Sequence, residues 1–172
     1  MNEILKSLEE RRCVRAYRDE QITDEQLEAI LRAGLYAPTG MNRQSPIMAV
    51  FQDKAVIEKL SKLNASVMGA SNDPFYGAPT VIMVLADKNV GTWVEDGALV
   101  MGNLMNAAHA VGVDSCWIHR ARNVSEMPEG REILRSMGIG DEYVGVGNCI
   151  LGYRSGEYPE AKPRRENRIY KF

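Results

Sequence analysis

A run of six apolar residues, 81–86 (Val-Ile-Met-Val-Leu-Ala), constrains the fold of this chain more than any other segment. A strand with one face in water alternates apolar and polar residues, whereas an unbroken apolar run is typical of a strand buried on both faces. We therefore predict such a strand here. The next segment, 92–111, has apolar residues nearly all the way round a helix, and we predict it to be the long helix of the core.

The remaining patterns alternate between helix and strand. Thr23 can cap the amide of Gln26 while the Gln26 side chain reaches back, so a helix is predicted to begin there and to run to about Tyr36. It must stop before Pro38, which restricts the preceding residue to extended geometry. The other predicted helices span 3–12, 54–63 and 129–137, and the other predicted strands span 47–52, 114–118 and 143–151.

Composition bounds the class of protein. At 172 residues with 45% apolar content, the chain can bury a core and is expected to form one domain. We see no internal repeat, signal-type segment or apolar span of membrane length, so a cytoplasmic protein without a membrane partner is expected. Two histidines and three widely spaced cysteines, without ligand spacing, predict reduced thiols and no metal site.

Positive charge is concentrated at the two ends of the chain. Residues 11–18 carry four arginines and no acid, and residues 162–172 carry five basic residues against Glu166 alone. Subtracting these two segments' charges of +4 each from the net charge of −2 leaves −10 on the rest. This placement favours one compact anion, such as a phosphate, over a polyanion. Either cluster alone is equally compatible with ordinary solvated arginines.

Two further patterns leave alternatives open. The loop 38–46 carries the amides of Asn42 and Gln44, which suit the edge of a heteroaromatic ring but also suit a loop that bonds to itself. Small residues at four-residue spacing along the long helix would let another backbone approach, either from a second subunit or within one subunit. These residues are Ala98, Gly102, Asn106 and Ala110.

Four segments, in this order along the chain, resemble the flavin-dependent nitroreductase family: 11–15, 37–44, 112–118 and 162–165. The match extends over nearly the whole chain. It implies an α+β, nitroreductase-like fold with a central mixed or antiparallel sheet flanked by helices and a long buried core helix. It also implies a single FMN-binding domain over residues 1–172, in a homodimer that exchanges an extended C-terminal tail. Each site would draw on both subunits.

The resemblance implies a set of FMN contacts. Phosphate and ribityl contacts would fall on Arg11, Arg12, Cys13 and Lys162 or Arg164. Arg15 would lie beside the flavin pyrimidine and stabilise negative charge around N1 and O2 of the reduced ring, and Asn64 is a further candidate at that edge. The strand end, Trp117, Ile118, His119 and Arg120, would pass the flavin and offer a backbone amide to N5. The partner subunit would supply a loop with Pro38, Thr39, Gly40, Asn42 and Gln44.

The chain departs from the family pattern at particular positions. Cys13 stands where many relatives have serine, and His119 and Arg120 stand where relatives often carry small or acidic residues. The chain also lacks the helical excursion that covers the substrate cleft in larger members.

The implied activity is that of an FMN-dependent oxidoreductase. It would take hydride from NADH or NADPH at flavin N5 and reduce a second acceptor, such as a nitroaromatic or a quinone, by a ping-pong mechanism. No side chain is assigned a catalytic role, because the flavin does the chemistry. A flavin-binding carrier or redox sensor without turnover is the alternative. A nucleic-acid partner is not expected, since the body of the chain is acidic and aromatic residues are not interleaved with its cations.

Overall fold

A four-stranded sheet forms the centre of the structure, a computed structural model that describes residues 2–172. Its strands, in the spatial order β1-β2-β4-β3, are β1 (Ile47–Phe51), β2 (Thr80–Asp87), β3 (Asp114–Ile118) and β4 (Tyr143–Gly152). All neighbouring strands are antiparallel, and an isolated parallel bridge joins Cys13 to Ser115. Met1, where the predicted domain begins, lies outside the described residues.

Strand β2 is buried on both faces. Each side chain of the apolar run 81–86 is at most 1% exposed, as its sequence predicts. Val81 and Met83 point into one cluster of the core, and Ile82 and Val84 point into the other. The sheet therefore needs a helical layer on each side.

Residues 2–172 form six α-helices and one short 3-10 turn, and five of the helices supply these layers. They are α1 (Glu3–Glu10), α2 (Asp24–Leu35), α3 (Lys54–Val67), α4 (Trp93–Ala110), α5 (Ala121–Glu126), α6 (Pro128–Ser136) and the turn Gly40–Asn42. Helices α2 and α4 pack on the face of Ile82 and Val84, whereas α3, α5 and α6 contribute to the opposite cluster. The expected α+β architecture, with helices flanking an antiparallel sheet, is confirmed.

Local signals predicted the helix starts better than the helix ends. The Thr23 capping box is present, with Gln26 N–H donating to Thr23 Oγ1 at 3.2 Å and Thr23 N–H donating to Gln26 Oε1 at 3.1 Å. The prediction for α1 extended two residues too far, to 12, and that for α3 stopped too early, at 63. Helix α3 continues because Asn64 and Ala65 are buried. Helix α5 was not predicted, since six residues carry too short a pattern.

Arg131 of α6 joins α5, α6 and β4. Its buried guanidinium donates to three backbone carbonyls: Ser125 O at 3.0 Å, Gly140 O at 3.1 Å and Tyr143 O at 2.9 Å. These bonds pair the guanidinium inside the protein, and they keep α5 against the end of the sheet.

We predict that Arg131→Met lowers the free energy of unfolding by about 3 kcal/mol, because the three carbonyls lose the bonds from the guanidinium. Urea unfolding followed by circular dichroism measures this. The control is Arg135→Met on the same helix, which removes an exposed pair with Asp141 (2.5 Å) and should leave the urea midpoint almost unchanged. Equal midpoint shifts in both variants would contradict the structural role of Arg131.

Candidate functional site

The basic segment 11–15 leaves α1 and lies beside the start of β3. Val14 N–H donates to Ser115 O at 3.0 Å, and Cys13 forms the parallel bridge with Ser115. The Val14 side chain is buried in the core, whereas Arg15 is exposed. The apolar side chain therefore anchors the segment beside the sheet, with Arg15 exposed and Arg11 and Arg12 half-buried.

The arginines of this segment have no acidic partners. Within residues 2–172, no carboxylate lies within 4.0 Å of the charged nitrogens of Arg11, Arg12 or Arg15. Arg12 Nη1 donates to Glu9 O at 2.7 Å and to Arg11 O at 2.9 Å, but the buried Arg12 Nε has no hydrogen-bond partner. A buried donor left unpaired is destabilising, so this nitrogen fits an oxygen of a bound anion.

A thiol pair lies within the same segment. Arg11 Nη1 donates to Cys13 Sγ at 3.6 Å, and Cys13 packs against the core cluster that contains Cys116, whose thiol donates to Trp117 O at 3.6 Å. The hydrogen bond from Cys116 and the charge of Arg11 outweigh burial and lower the pKa of Cys13 to about 5. The hydrogen bond to Cys13 and its own burial raise the pKa of Cys116. Cys13 therefore carries the thiolate of the pair.

Asn64 holds the turn that follows β3. Its side chain is fully buried, with Nδ2 donating to His119 O at 2.9 Å and Oδ1 accepting from Arg120 Nε at 3.1 Å. Arg120 has φ +71°, in the left-handed region that favours glycine. The structure thus brings Asn64 to the end of β3, and its contact with a flavin stays a prediction.

The strand end 117–120 presents different groups to its two sides. Ile118 points into the core, so it can offer only its backbone to a ligand, while His119 is exposed. Trp117 packs directly over Gly147, where an added Cβ would lie 2.8 Å from Trp117 Cε2. The glycine therefore makes room for the indole ring on the sheet.

The loop 38–46 is held by a buried carboxylate. Asp96 of α4, only 2% exposed, accepts from Gly40 N–H at 2.8 Å and from Thr92 Oγ1 at 3.0 Å. A Cβ on Gly40 would collide with the Thr92 side chain. Asp96, an acidic residue in a mostly apolar helix, was the signal for this anchor, and sequence reasoning missed its role.

The same loop also bonds to itself. Gln44 Nε2 donates to Asn42 Oδ1 at 3.1 Å, and Gln44 N–H donates to Thr39 Oγ1 at 3.0 Å. Both Asn42 and Gln44 have positive φ, and Pro38 is exposed. Among residues 2–172, no hydrogen bond joins this loop to the segment 11–15 or to the strand end 117–120.

Only the first part of the C-terminal tail is fixed to the chain. Tyr158 Oη accepts from Arg12 N–H at 2.8 Å and donates to Glu10 O at 3.1 Å, and its ring stacks on His109. Sequence reasoning did not single out Tyr158. Residues 159–172 are exposed, and no hydrogen bond or ion pair of the described chain joins Lys162 or Arg164 to the segment 11–15.

The described residues contain one large cavity, which lies apart from the predicted FMN contacts. A cavity of about 810 Å³ lies between α3 and the following loop, lined by residues such as Ser61, Lys62 and Asp73, and none of its lining residues is a predicted FMN contact. Residues 2–172 hold no group of three or more acidic, histidine or cysteine side chains arranged for a metal ion. Nor does any helix of the described chain have the length and apolarity to cross a membrane.

Comparison with known proteins identifies the family. The sequence profile described as the nitroreductase family matches residues 8–153. This chain belongs to the nitroreductase family.

The nitroreductase similarity extends over most or all of two relatives and over part of a third. A nitroreductase with bound FMN from Bacteroides fragilis has 28% sequence identity, covers 100% of both chains and superposes with a TM-score of 0.93. An Archaeoglobus fulgidus protein, named as a candidate NADH dehydrogenase/NAD(P)H nitroreductase, is 32% identical over 91% of this chain and 88% of its own. An NAD(P)H-dependent FMN reductase of Bacillus subtilis is 37% identical over 52% of this chain and 34% of its own.

The left-handed turn of this nitroreductase gives a test of its local strain. We predict that Arg120→Gly is more stable than Arg120→Ala by about 1 kcal/mol, because glycine adopts positive φ without a Cβ clash. Both variants lose the bond to Asn64, so the comparison isolates the backbone. Urea unfolding measures the difference, and an alanine variant at least as stable as the glycine variant would contradict it.

Proposed function

We propose that this nitroreductase is an FMN-dependent oxidoreductase that takes hydride from NADH or NADPH at flavin N5 and reduces a second acceptor, a nitroaromatic or a quinone, by a ping-pong mechanism. One observation carries the proposal: the segment 11–15 holds three arginines without acidic partners, and the buried Arg12 Nε has no acceptor. The FMN-bound relative of closely similar fold and the NAD(P)H-linked relatives support the same conclusion.

The residues present fit the phosphate end of FMN. Arg11 and the free Nε of Arg12 would bind the phosphate, since guanidinium groups match its oxygens in charge and geometry. Cys13 would contribute its backbone beside them. Lys162 or Arg164 would complete the phosphate site from the tail, where both side chains are exposed.

The ring end of FMN would lie toward the end of β3. When bound, FMN supplies hydride transfer at N5. Arg15 would hold its positive charge against the pyrimidine edge and stabilise the negative charge of the reduced ring. The hydrogen bonds of Asn64 to His119 and Arg120 keep the strand end in a single conformation, from which a backbone amide would donate to N5.

A homodimer would complete the site. The loop 38–46 is fixed to α4 and has no hydrogen bond to the segment 11–15 of its own chain, so a partner's loop would supply Pro38, Thr39, Gly40, Asn42 and Gln44. The self-bonding of Asn42 and Gln44 leaves Asn42 Nδ2 and Gln44 Oε1 for the flavin edge. The tail beyond Tyr158, which lacks contacts with its own core, would extend onto the partner.

Exposed apolar side chains support this assembly. Leu35 and Tyr36 are 70% and 76% exposed, and Leu99 of α4 is also exposed. A Cβ on Gly102 would meet no heavy atom of the same chain within 4 Å, so packing within one subunit does not require glycine there. The small-residue pattern of α4 therefore favours the subunit-contact interpretation. A cytoplasmic location stays a prediction.

The proposal predicts a flavin absorption spectrum for the purified protein. Under anaerobic conditions, NADH or NADPH should bleach it, and a nitroaromatic or quinone added after removal of the donor should restore it, because a ping-pong cycle separates the two half-reactions. The released cofactor should be identified as FMN. A flavin that stays oxidised would favour the carrier or sensor, and a colourless protein that fails to take up FMN would overturn the proposal.

Two arginine substitutions should separate the two ends of the site. We predict that Arg15→Ala slows flavin reduction by on the order of tenfold with a smaller effect on FMN retention, whereas Arg164→Ala weakens FMN binding by on the order of tenfold. Stopped-flow bleaching and FMN titration measure the two effects. Arg18→Ala and Arg165→Ala are the matched controls and should have little effect on either the rate of flavin reduction or FMN binding. Equal losses in both assays from Arg15→Ala and Arg164→Ala would contradict the assignment of Arg15 to the ring end and Arg164 to the phosphate end.

A further inference from the structure

The thiol pair Cys13 and Cys116 is not used by the proposed hydride transfer. Cys13 is half-buried on the segment 11–15, and Cys116 is completely buried on β3. Cys13 packs against the core cluster that contains Cys116, and Arg11 Nη1 lies 3.6 Å from Cys13 Sγ. The pair thus joins a partly accessible sulfur to a second sulfur inside the core.

The surroundings of Cys13 favour its thiolate from both sides. Three groups lower the pKa of Cys13: the Cys116 thiol and the Trp117 backbone amide on β3, and the Arg11 guanidinium on its own segment. Cys149 is a useful contrast, because it is completely buried in the opposite core cluster and burial raises its pKa to about 12. One thiol of the three therefore combines access, an adjacent cation and a neighbouring thiol.

We propose that Cys13 and Cys116 form a peroxide-sensitive thiol pair whose oxidation is suppressed when FMN phosphate is bound at Arg11. The link to FMN rests on the proposed function, whereas the reactivity of the pair does not. Forming the disulfide would require little movement of the backbone, because the parallel bridge at Ser115 already holds Cys13 beside β3.

The chemistry has two steps. The Cys13 thiolate attacks one oxygen of hydrogen peroxide, the O–O bond breaks, and the sulfur is oxidised to a sulfenic acid with release of hydroxide. The Cys116 sulfur then attacks the Cys13 sulfur, forming the S–S bond, and its proton leaves with the sulfenic hydroxyl as water. The peroxide is reduced by two electrons, which the two thiols supply.

Binding of FMN would oppose the first step. The phosphate and the Cys13 thiolate are both anions, and both draw on the charge of Arg11. A phosphate at Arg11 would therefore disfavour the thiolate and cover the sulfur. By linkage, the thiolate must disfavour the phosphate to the same extent.

The experiment treats the full chain, stripped of cofactor or loaded with FMN, with hydrogen peroxide, and maps cysteine peptides by mass spectrometry. We expect a Cys13–Cys116 disulfide in the stripped protein, formed at least about tenfold more slowly with FMN bound. Absence of this disulfide in the stripped protein would overturn the proposal. Its formation at the same rate with FMN bound would overturn the suppression by FMN.

Variants and a pH profile locate the reactive sulfur. Cys13→Ser should abolish the disulfide, Cys116→Ala should leave a sulfenic acid that a 1,3-diketone traps, and Cys149→Ala should behave as the unsubstituted chain. Iodoacetamide labelling of Cys13 should change less than about twofold between pH 6 and 8, whereas an ordinary thiol changes by about 100-fold. A profile like that of an ordinary thiol would contradict the role of Cys13, and this measurement needs no substitution.

The experiments distinguish a failure of the flavin function from a failure of the thiol-pair proposal. A protein that forms the disulfide but binds no FMN would retain the reactive pair and lose the flavin function. A protein that binds and reduces FMN but never forms the disulfide would retain the flavin function alone.

Discussion

Burial of β2 on both faces is the constraint on which the rest of the structure depends. Its apolar side chains need cover on each side, so α2 and α4 form one layer and α3, α5 and α6 form the other. β4 pairs with β2, and β3 pairs with β4 at the edge. The edge position of β3 leaves room beside it for the segment 11–15, and the candidate site lies at this junction.

The site combines fixed backbone with uncompensated charge. Arg131 keeps α5 against the sheet, Asn64 fixes the turn before α5, and Asp96 fixes the loop 38–46. These buried polar groups are paired within the chain, whereas the arginines of the segment 11–15 have no acidic partners among residues 2–172. Positive charge held without a counter-ion on a rigid support is suited to an anionic ligand.

The cysteine at position 13 determines the chemistry available at this junction. A serine hydroxyl there would be neutral at physiological pH, whereas the pKa of Cys13, lowered to about 5, makes it an anion beside Arg11. The Arg11 guanidinium thus stabilises the thiolate in this chain and, in the proposed function, would also bind a phosphate. This competition ties the thiol chemistry of the chain to its proposed cofactor.

The sequence by itself determined the two-sided burial of β2, the Thr23 cap, the order of most helices and strands, and the basic ends, because periodicity, capping and charge are local properties. The order of the four family segments indicated nitroreductase membership. Only the tertiary structure decided that Arg12 Nε lacks a partner, that Cys13 packs against the core cluster containing Cys116 and that Asp96 anchors Gly40. These facts depend on side chains distant in the chain meeting in the folded core, which no local pattern encodes.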